Sequence, residues 1–308
     1  MSILAELPEA AAVAIIRLRS LGDCVLTTPA IALLKQSRPD LRIGVVVEDR
    51  FRAVFTGNPD IAAILEPSLL ALRRFRPTLT INLHGGTRSL TLTAGSGAQL
   101  RAGFAHLRGA SLYNLHVPTA QQILGIERRV HTAEHLASVI FWLACSRGVE
   151  VPRARLYPIE PVPNPPAGRY AVLHPVAATP EKTWPPDRFN QVAADLAARG
   201  IQPVFTGGPA DDLSAFSHYR TLAGEPLEHT KSLISQASLF IGNDSGPAHI
   251  AAAFGIPAIV LFGPSDATVW APWRTESRVL QADPISGIAT RSVLEAVSRL
   301  CTPAEVAR

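Results

Sequence analysis

Apolar positions in this chain fall into short runs separated by polar turns rich in glycine and proline, and two periods alternate along it. Val13-Ala-Ile-Ile-Arg17, Ile43-Gly-Val-Val-Val47, Ile61 to Leu65 and Thr78-Leu-Thr-Ile-Asn-Leu83 predict strands, with helical stretches between them. Short, nearly continuous apolar runs are expected of strands covered on both faces. After the first strand comes a turn at Leu21-Gly22-Asp23 and a helix reaching Ser37. Pro29 lies within it, and either kinks the helix or stands first in a helix capped by Thr28. Ala133 to Cys145 predicts a helix with Leu136, Val139, Ile140 and Leu143 on one stripe.

The pattern breaks at Tyr157 to Gly168, where five of twelve residues are prolines. That composition makes a stiff, extended segment. It reads as a linker over 158–168, between a domain at 1–157 and another at 169–308. The alternation then restarts. Tyr170 to His174 predicts a strand. Asp187 is expected to cap a helix carrying Phe189, Val192, Ala193, Leu196 and Ala197 on one face, with Gly200 ending it. Ile201 to Phe205 predicts a strand whose Pro203 points to an edge position or a local distortion. Ser238 to Ile241 and Ala258 to Phe262 supply two more. No internal repeat is visible. The fold class expected is α/β, with two doubly wound parallel sheets and a cleft between their carboxyl edges.

Composition agrees with this picture and narrows it. A chain of 308 residues holds two domains of about 150 residues each. With 47% apolar and 18% charged residues it is well cored. No apolar run approaches the roughly 20 residues of a membrane span. Met1 to Ala12 carries Glu6 and Glu9 and no basic residue, unlike a secretory signal. Cys24, Cys145 and Cys301 are odd in number and far apart, without disulfide or metal spacing, so a reducing cytoplasm is expected. The net charge of +4 suits an anionic ligand or a membrane face, and equally an ordinary globular protein. No basic run with interleaved aromatics occurs, so nucleic acid is not an expected partner.

Three loops carry candidate chemistry. In Ile241-Gly-Asn-Asp-Ser-Gly-Pro-Ala-His249 an apolar strand meets a polar turn and then a small-residue helix starting near Gly246. Such a helix start aims backbone N–H groups and the positive end of its dipole at the turn, as a phosphorylated ligand requires. Asp244, Ser245 and His249 surround that spot; alternatively Asp244 or Ser245 merely caps the helix. In Arg17-Leu-Arg-Ser-Leu-Gly-Asp23, Asp23 reads as a helix cap or as a general base facing the cleft. No dinucleotide fingerprint of glycines occurs there. In His174-Pro-Val-Ala-Ala-Thr-Pro-Glu-Lys-Thr-Trp-Pro185, Thr179 and Lys182 lie on a loop expected to converge on the Asp244 helix. Gly207 and Gly208, followed by Asp211, either admit a ligand closely or simply make a turn.

These segments, with Asn82-Leu-His-Gly-Gly-Thr-Arg-Ser89 and Leu261-Phe-Gly-Pro-Ser-Asp266, occur in an order that resembles glycosyltransferase family 9, the ADP-heptose:lipopolysaccharide heptosyltransferases. The resemblance runs from about Val13 to Trp273. It implies a GT-B architecture and an inverting, metal-independent transfer of heptose from ADP-heptose to a hydroxyl of the lipopolysaccharide inner core. By motif position Asp23 is the catalytic carboxylate. Lys182 contacts the donor and compensates its leaving diphosphate. Thr179, Gly207, Gly208, Asp211, Asp244, Ser245, Gly246, Pro247, Ala248 and His249 fall on the donor side. Arg19, His84 and Arg88 fall on the acceptor side.

No cofactor or metal is implied beyond the donor. The acceptor would be met in the cytoplasm, with peripheral contact at the inner face of the cytoplasmic membrane. The phosphate loop departs from the family's usual H-P-G-A-S-S at Val176, Ala178 and Thr179, and Thr183 stands where many members carry arginine. Three rivals share the architecture: a nucleotide-sugar epimerase, a transferase using a protein hydroxyl or another nucleotide sugar, and a non-catalytic nucleotide-sugar-binding protein.

Overall fold

Five strands made wholly of buried residues, Ala12–Ile16, Leu79–Asn82, Tyr170–His174, Leu239–Asn243 and Ala258–Phe262, lie inside two parallel sheets. The computed structural model describes residues 2–146, 150–158, 161–162 and 164–301. Residues 159, 160 and 163 of the expected linker lie outside the described residues. The chain divides into two units, Met1–Tyr157 and Pro158–Arg308.

The first unit runs β1 (Ala12–Ile16), α1 (Leu21–Ser37), β2 (Arg42–Val46), β3 (Ala63–Leu65), α2 (Leu69–Phe75), β4 (Leu79–Asn82), α3 (Thr87–Gly95), β5 (Leu100–Phe104), β6 (Leu115–Val117), α4 (Ala120–Leu124) and α5 (Thr132–Ala144). The second runs β7 (Tyr170–His174), α6 (Pro186–Ala198), β8 (Gln202–Gly207), β9 (Arg220–Ala223), α7 (Leu227–Ser235), β10 (Leu239–Asn243), α8 (Gly246–Phe254), β11 (Ala258–Phe262), α9 (Ala267–Trp270), β12 (Ser277–Gln281) and α10 (Thr290–Cys301).

The sheet orders are β3-β2-β1-β4-β5-β6 and β12-β11-β10-β7-β8-β9. Counted within each unit, both are the doubly wound order 3-2-1-4-5-6, a topological repeat with no sequence repeat behind it. Strand order reverses between β1 and β4 and between β7 and β10, and loops at the carboxyl ends of such a pair are where this fold receives ligands. In the second unit Trp184, Phe189, Phe205 and Ile241 are wholly buried in the core.

The helix α1 is buried along most of its length and is continuous through Pro29. Proline removes the N–H that would reach Val25 O, and the Thr28 hydroxyl donates there instead at 2.8 Å. Thr28 therefore compensates the proline and caps nothing. The expected cap Asp187 is instead in the first turn of α6, which starts at Pro186 with Pro185 in the N-cap position. The fixed φ of proline suits the first helical residue, and the carboxylate suits the dipole. Pro203 is not on an edge strand, since β8 lies between β7 and β9. Its nitrogen is on the β9 side, where the pairing begins only at Val204–Arg220, so no ladder bond is lost.

Candidate active site

In the first unit the switch point is formed by the segment after β1 and the loop after β4. Arg17 ends the first of these. It is 5% exposed, its N–H donates to Val46 O, and its side chain turns to the start of α1. Arg17 Nη2 donates to Asp23 Oδ1 at 2.9 Å, and Nε to Thr27 Oγ1 at 3.4 Å. Burial pushes the guanidinium pKa down, and Asp23 opposes that shift.

Asp23 Oδ2 accepts from Ser20 Oγ at 3.0 Å and from Ser20 N at 3.5 Å, closing the first turn of α1. Asp23 is thus a capping residue and the counter-ion of a buried arginine at once, with 22% of its side chain exposed. Cys24 beside it is buried, and its thiol is pushed up to about 12, so it stays protonated.

Asn82, wholly buried, organises the second loop. Its Oδ1 accepts from His84 N and Gly85 N, and its Nδ2 donates to Ser89 Oγ and Tyr113 OH. His84 is therefore held at the carboxyl end of β4. Burial first, and then the charges of Arg17 and Arg19, keep its imidazole below the usual range. Arg19 is exposed at the end of the β1 loop. Arg88, on α3, reaches Glu48 at 3.4 Å, and Glu48 also holds Arg50.

Two residues not singled out in the sequence join this group. His135 on α5 stacks on Phe104 with ring centroids 4.1 Å apart, and His106 is 6.3 Å from it. Burial, then His106 and Arg17, lower His135 to about 4, so it is neutral at pH 7. Nothing in the local sequence marks either one, because His135 on α5 meets Phe104 and His106 only when the helix packs on the sheet.

The second unit builds its switch point from the segment after β7 and the turn after β10. Lys182 Nζ donates to Asp244 Oδ2 at 3.2 Å. Thr179 precedes the short helical turn Pro180–Lys182, and its carbonyl accepts from Lys182 N and from Thr183 Oγ1. Asn243, at the end of β10 and fully buried, fastens both strands' loops. Its Oδ1 accepts from Trp184 N at 3.1 Å and its Nδ2 donates to Pro175 O at 2.8 Å. Gly263, just past β11, lies so near this turn that an added β-carbon would stand 2.6 Å from Glu181 O. Asn243 and Gly263 were both in motifs quoted above, but a supporting role is visible only in three dimensions.

At the start of α8, Ser245 occupies the N-cap position without capping; its hydroxyl donates to Asn243 O. Pro247 carries no N–H, and Ala248 N bonds Ser245 O, which leaves the Gly246 N–H without a partner among the described residues. His249 is buried on the first turn of α8.

The Gly207–Gly208 turn closes on itself. Asp211 Oδ2 accepts from Gly208 N at 2.6 Å, and a β-carbon on Gly207 would stand 3.0 Å from that of Asp211. These glycines make room for Asp211 within the turn. Next to them, His174 Nδ1 meets Thr206 O at 3.0 Å, and burial lowers its imidazole to about 4. Among the described residues no group of three or more His, Cys, Asp or Glu side chains could hold a metal ion, and no helix is long and apolar enough to cross a membrane.

Residues 70–292 match the model of glycosyltransferase family 9 (heptosyltransferase). The chain belongs to that family. It is 29% identical over 293 residues to lipopolysaccharide heptosyltransferase 3 of Escherichia coli (strain K12), covering 82% of each chain. It is 23% identical over 319 residues to lipopolysaccharide heptosyltransferase 1 of the same strain, covering 94% of this chain and 99% of the relative.

Among solved structures, the family 9 glycosyl transferase from Veillonella parvula DSM 2008 superposes with a TM-score of 0.81 at 21% identity, over 95% and 97% of the two chains. E. coli heptosyltransferase WaaC with ADP gives 0.76 at 19% identity, over 94% and 99%. The family 9 assignment makes the chain a glycosyltransferase, and its two doubly wound units are the parts of which GT-B enzymes are made.

Proposed function

We propose that this enzyme moves heptose from ADP-heptose to a hydroxyl of the lipopolysaccharide inner core, inverting the anomeric carbon. The observation that carries the reading is the Lys182–Asp244 pair at the switch point of the second unit, beside the uncapped Gly246 N–H. A cation and a helix N-terminus together suit a nucleoside diphosphate. We assign the donor side to residues 169–308, with Thr179, Lys182, Gly207, Gly208, Asp211, Asp244, Ser245, Gly246, Pro247, Ala248 and His249. The acceptor side is 1–157, with Arg19, His84 and Arg88.

In the reaction the acceptor oxygen forms a bond to the anomeric carbon as the bond to the diphosphate oxygen breaks and ADP leaves. Asp23 accepts the hydroxyl proton. Lys182 and the amino end of α8 stabilise the charge that builds on the leaving diphosphate. One base acting opposite the leaving group gives inversion. The acceptor is lipid-linked, so the enzyme meets it from the cytoplasm by peripheral contact with the inner membrane face.

The test is incubation with ADP-heptose and truncated core acceptors, with the product identified by mass and linkage. A heptosylated core is expected. Transfer only to a protein hydroxyl, use of a different nucleotide sugar, or epimerised donor without transfer would each replace this reading.

A further inference from the structure

Away from the candidate site, one surface of the first unit combines charge and exposed apolar area. The short helix α2 buries Leu72 and Phe75 against β1 and β2. Its outer face carries Leu70, 59% exposed and one of two large apolar side chains left in solvent among the described residues. Spacings of three and four place Arg73 and Arg74 beside Leu70. Arg76 follows as the left-handed C-cap of α2. Arg42, the first residue of β2, lies over the Phe75 ring, 5.5 Å from its centroid. Arg42, Arg73, Arg74, Phe75 and Arg76 line a shallow cavity of about 490 Å³.

All four arginines are exposed, and none has an ion-pair partner among the described residues. This is unlike Arg38, Arg50, Arg88, Arg128, Arg199 and Arg291, each of which faces a carboxylate. Arg73 Nε donates only to Gly95 O, which anchors its stem to α3 and leaves the rest of the guanidinium outward.

Uncompensated arginines around an exposed leucine match one kind of partner. Anionic headgroups supply the missing negative charges, and the boundary with the acyl chains receives the leucine. A nucleic acid would use the charges but not Leu70, and the nearby aromatic, Phe75, is buried beneath Arg42 where no base can stack.

We infer that this face docks on an anionic lipid surface, with Arg42, Arg73, Arg74 and Arg76 on headgroup phosphates and Leu70 in the interface. The inference rests on the proposed membrane-anchored acceptor and names the surface that brings the enzyme to it.

The test is sedimentation of the full chain with phosphatidylcholine vesicles, with and without phosphatidylglycerol. Binding is expected only to the anionic vesicles and weakens as salt rises. The R73E/R74E/R76E variant should lower partitioning by roughly tenfold or more. Leu70→Ser should lower the binding that persists at high salt. An equal charge change elsewhere, R278E/R291E/R299E, should lower it less. Turnover on a short water-soluble acceptor, and the melting temperature, should stay at wild-type values in the α2 variants.

Anionic binding that survives both α2 changes overturns the assignment of this surface and leaves the proposed transfer intact. Absence of vesicle binding at low salt overturns the inference together with the membrane part of the proposed function, while the soluble assay judges the chemistry separately. Duplex DNA bound through these arginines, with vesicles ignored, overturns it in favour of a nucleic acid.

Discussion

Lys182 and Asp244, sixty-two positions apart in sequence, form an ion pair at 3.2 Å with side chains 34% and 10% exposed. Neither finds the other by local preference. Asn243 ties the backbone of Trp184 to the end of β10, and Gly263 lets the intervening turn lie against the end of β11. The ammonium is thereby fixed at the switch point. In the proposed reaction, preorganised charge of this kind would cost no rearrangement when a diphosphate leaves.

Loss of the Lys182 charge should therefore slow transfer rather than unfold the enzyme. Lys182→Ala is expected to lower turnover roughly a hundredfold or more, and Lys182→Gln to recover little, since it keeps a polar tip, one atom shorter, without charge. Steady-state kinetics with saturating donor decide this. Near-normal turnover in both variants would make Lys182 a surface lysine paired with Asp244 and no more.

Gly263 supplies a test of positioning. A methyl group there meets Glu181 O at 2.6 Å, so Gly263→Ala must displace the Pro180–Lys182 turn. Turnover should fall about tenfold or more through misplacement of Lys182. Far-ultraviolet circular dichroism should be unchanged. Wild-type kinetics in Gly263→Ala would mean that the turn's position is immaterial.

Donor identity is checked by calorimetry. ADP should bind more tightly than UDP or GDP, and Asp244→Ala should weaken ADP binding. A preference for UDP or GDP, or unaltered affinity in the variant, contradicts the donor assignment.

Asp23→Asn separates cap from base, with one complication that the ion pair introduces. Asp23 is the third residue of α1 and closes a capping box with Ser20 at the N-cap, and the amide oxygen of asparagine can still accept from Ser20 there. The substitution leaves buried Arg17 facing a neutral partner, however, so a stability loss of about 1–3 kcal/mol is expected. ADP affinity should be retained, because the proposed donor residues belong to the other unit. Turnover, measured below the lowered melting temperature, should fall on the order of a hundred- to ten-thousandfold. If stability drops and turnover does not, Asp23 serves only α1 and Arg17.

Stability should also depend on pH through His174. Its folded imidazole titrates near 4, against an ordinary value of 6.5, because burial disfavours the charged form. Between those values the unfolded chain binds more protons than the folded one. The contribution is therefore complete above pH 6.5 and is lost as pH falls toward 4, amounting to about 3 kcal/mol. His135, likewise lowered to about 4, acts in the same direction. Denaturant melts from pH 7 to 4 should show the decline, and His174→Gln should flatten it. An equal slope in the variant would show that other groups control the acid response.

The strands readable in the sequence were chiefly the central ones. β1, β7, β10 and β11 are buried throughout and appear as apolar runs. The unpredicted β5, β9 and β12 include arginines at Arg101, Arg220 and Arg278, and β6 is three residues long. Such strands are held by pairing with a neighbour, which leaves a weak mark on their own composition. The candidate site divides the same way. Asp23, Lys182 and Asp244 stand out as functional groups in strand-end loops. Asn243, Gly263 and His135 act on partners remote in sequence, and only the packed sheets show it.

By itself, then, the sequence determined that strand and helix alternate in two halves, and which polar loops end which central strands. It also carried the ordered motifs of family 9. These are properties of short segments, legible because burial and turn chemistry act locally. The tertiary structure alone decided that both halves share one strand order, that Asp23 is bound to Arg17 as well as to its own helix, and that Asp211 closes its glycine turn. It also decided that Leu70 and four arginines lie together on one face. Strand order and the meeting of Arg42 with Phe75 depend on segments remote in sequence coming together, and the Asp23 and Asp211 contacts depend on side-chain orientation, which a linear pattern does not contain.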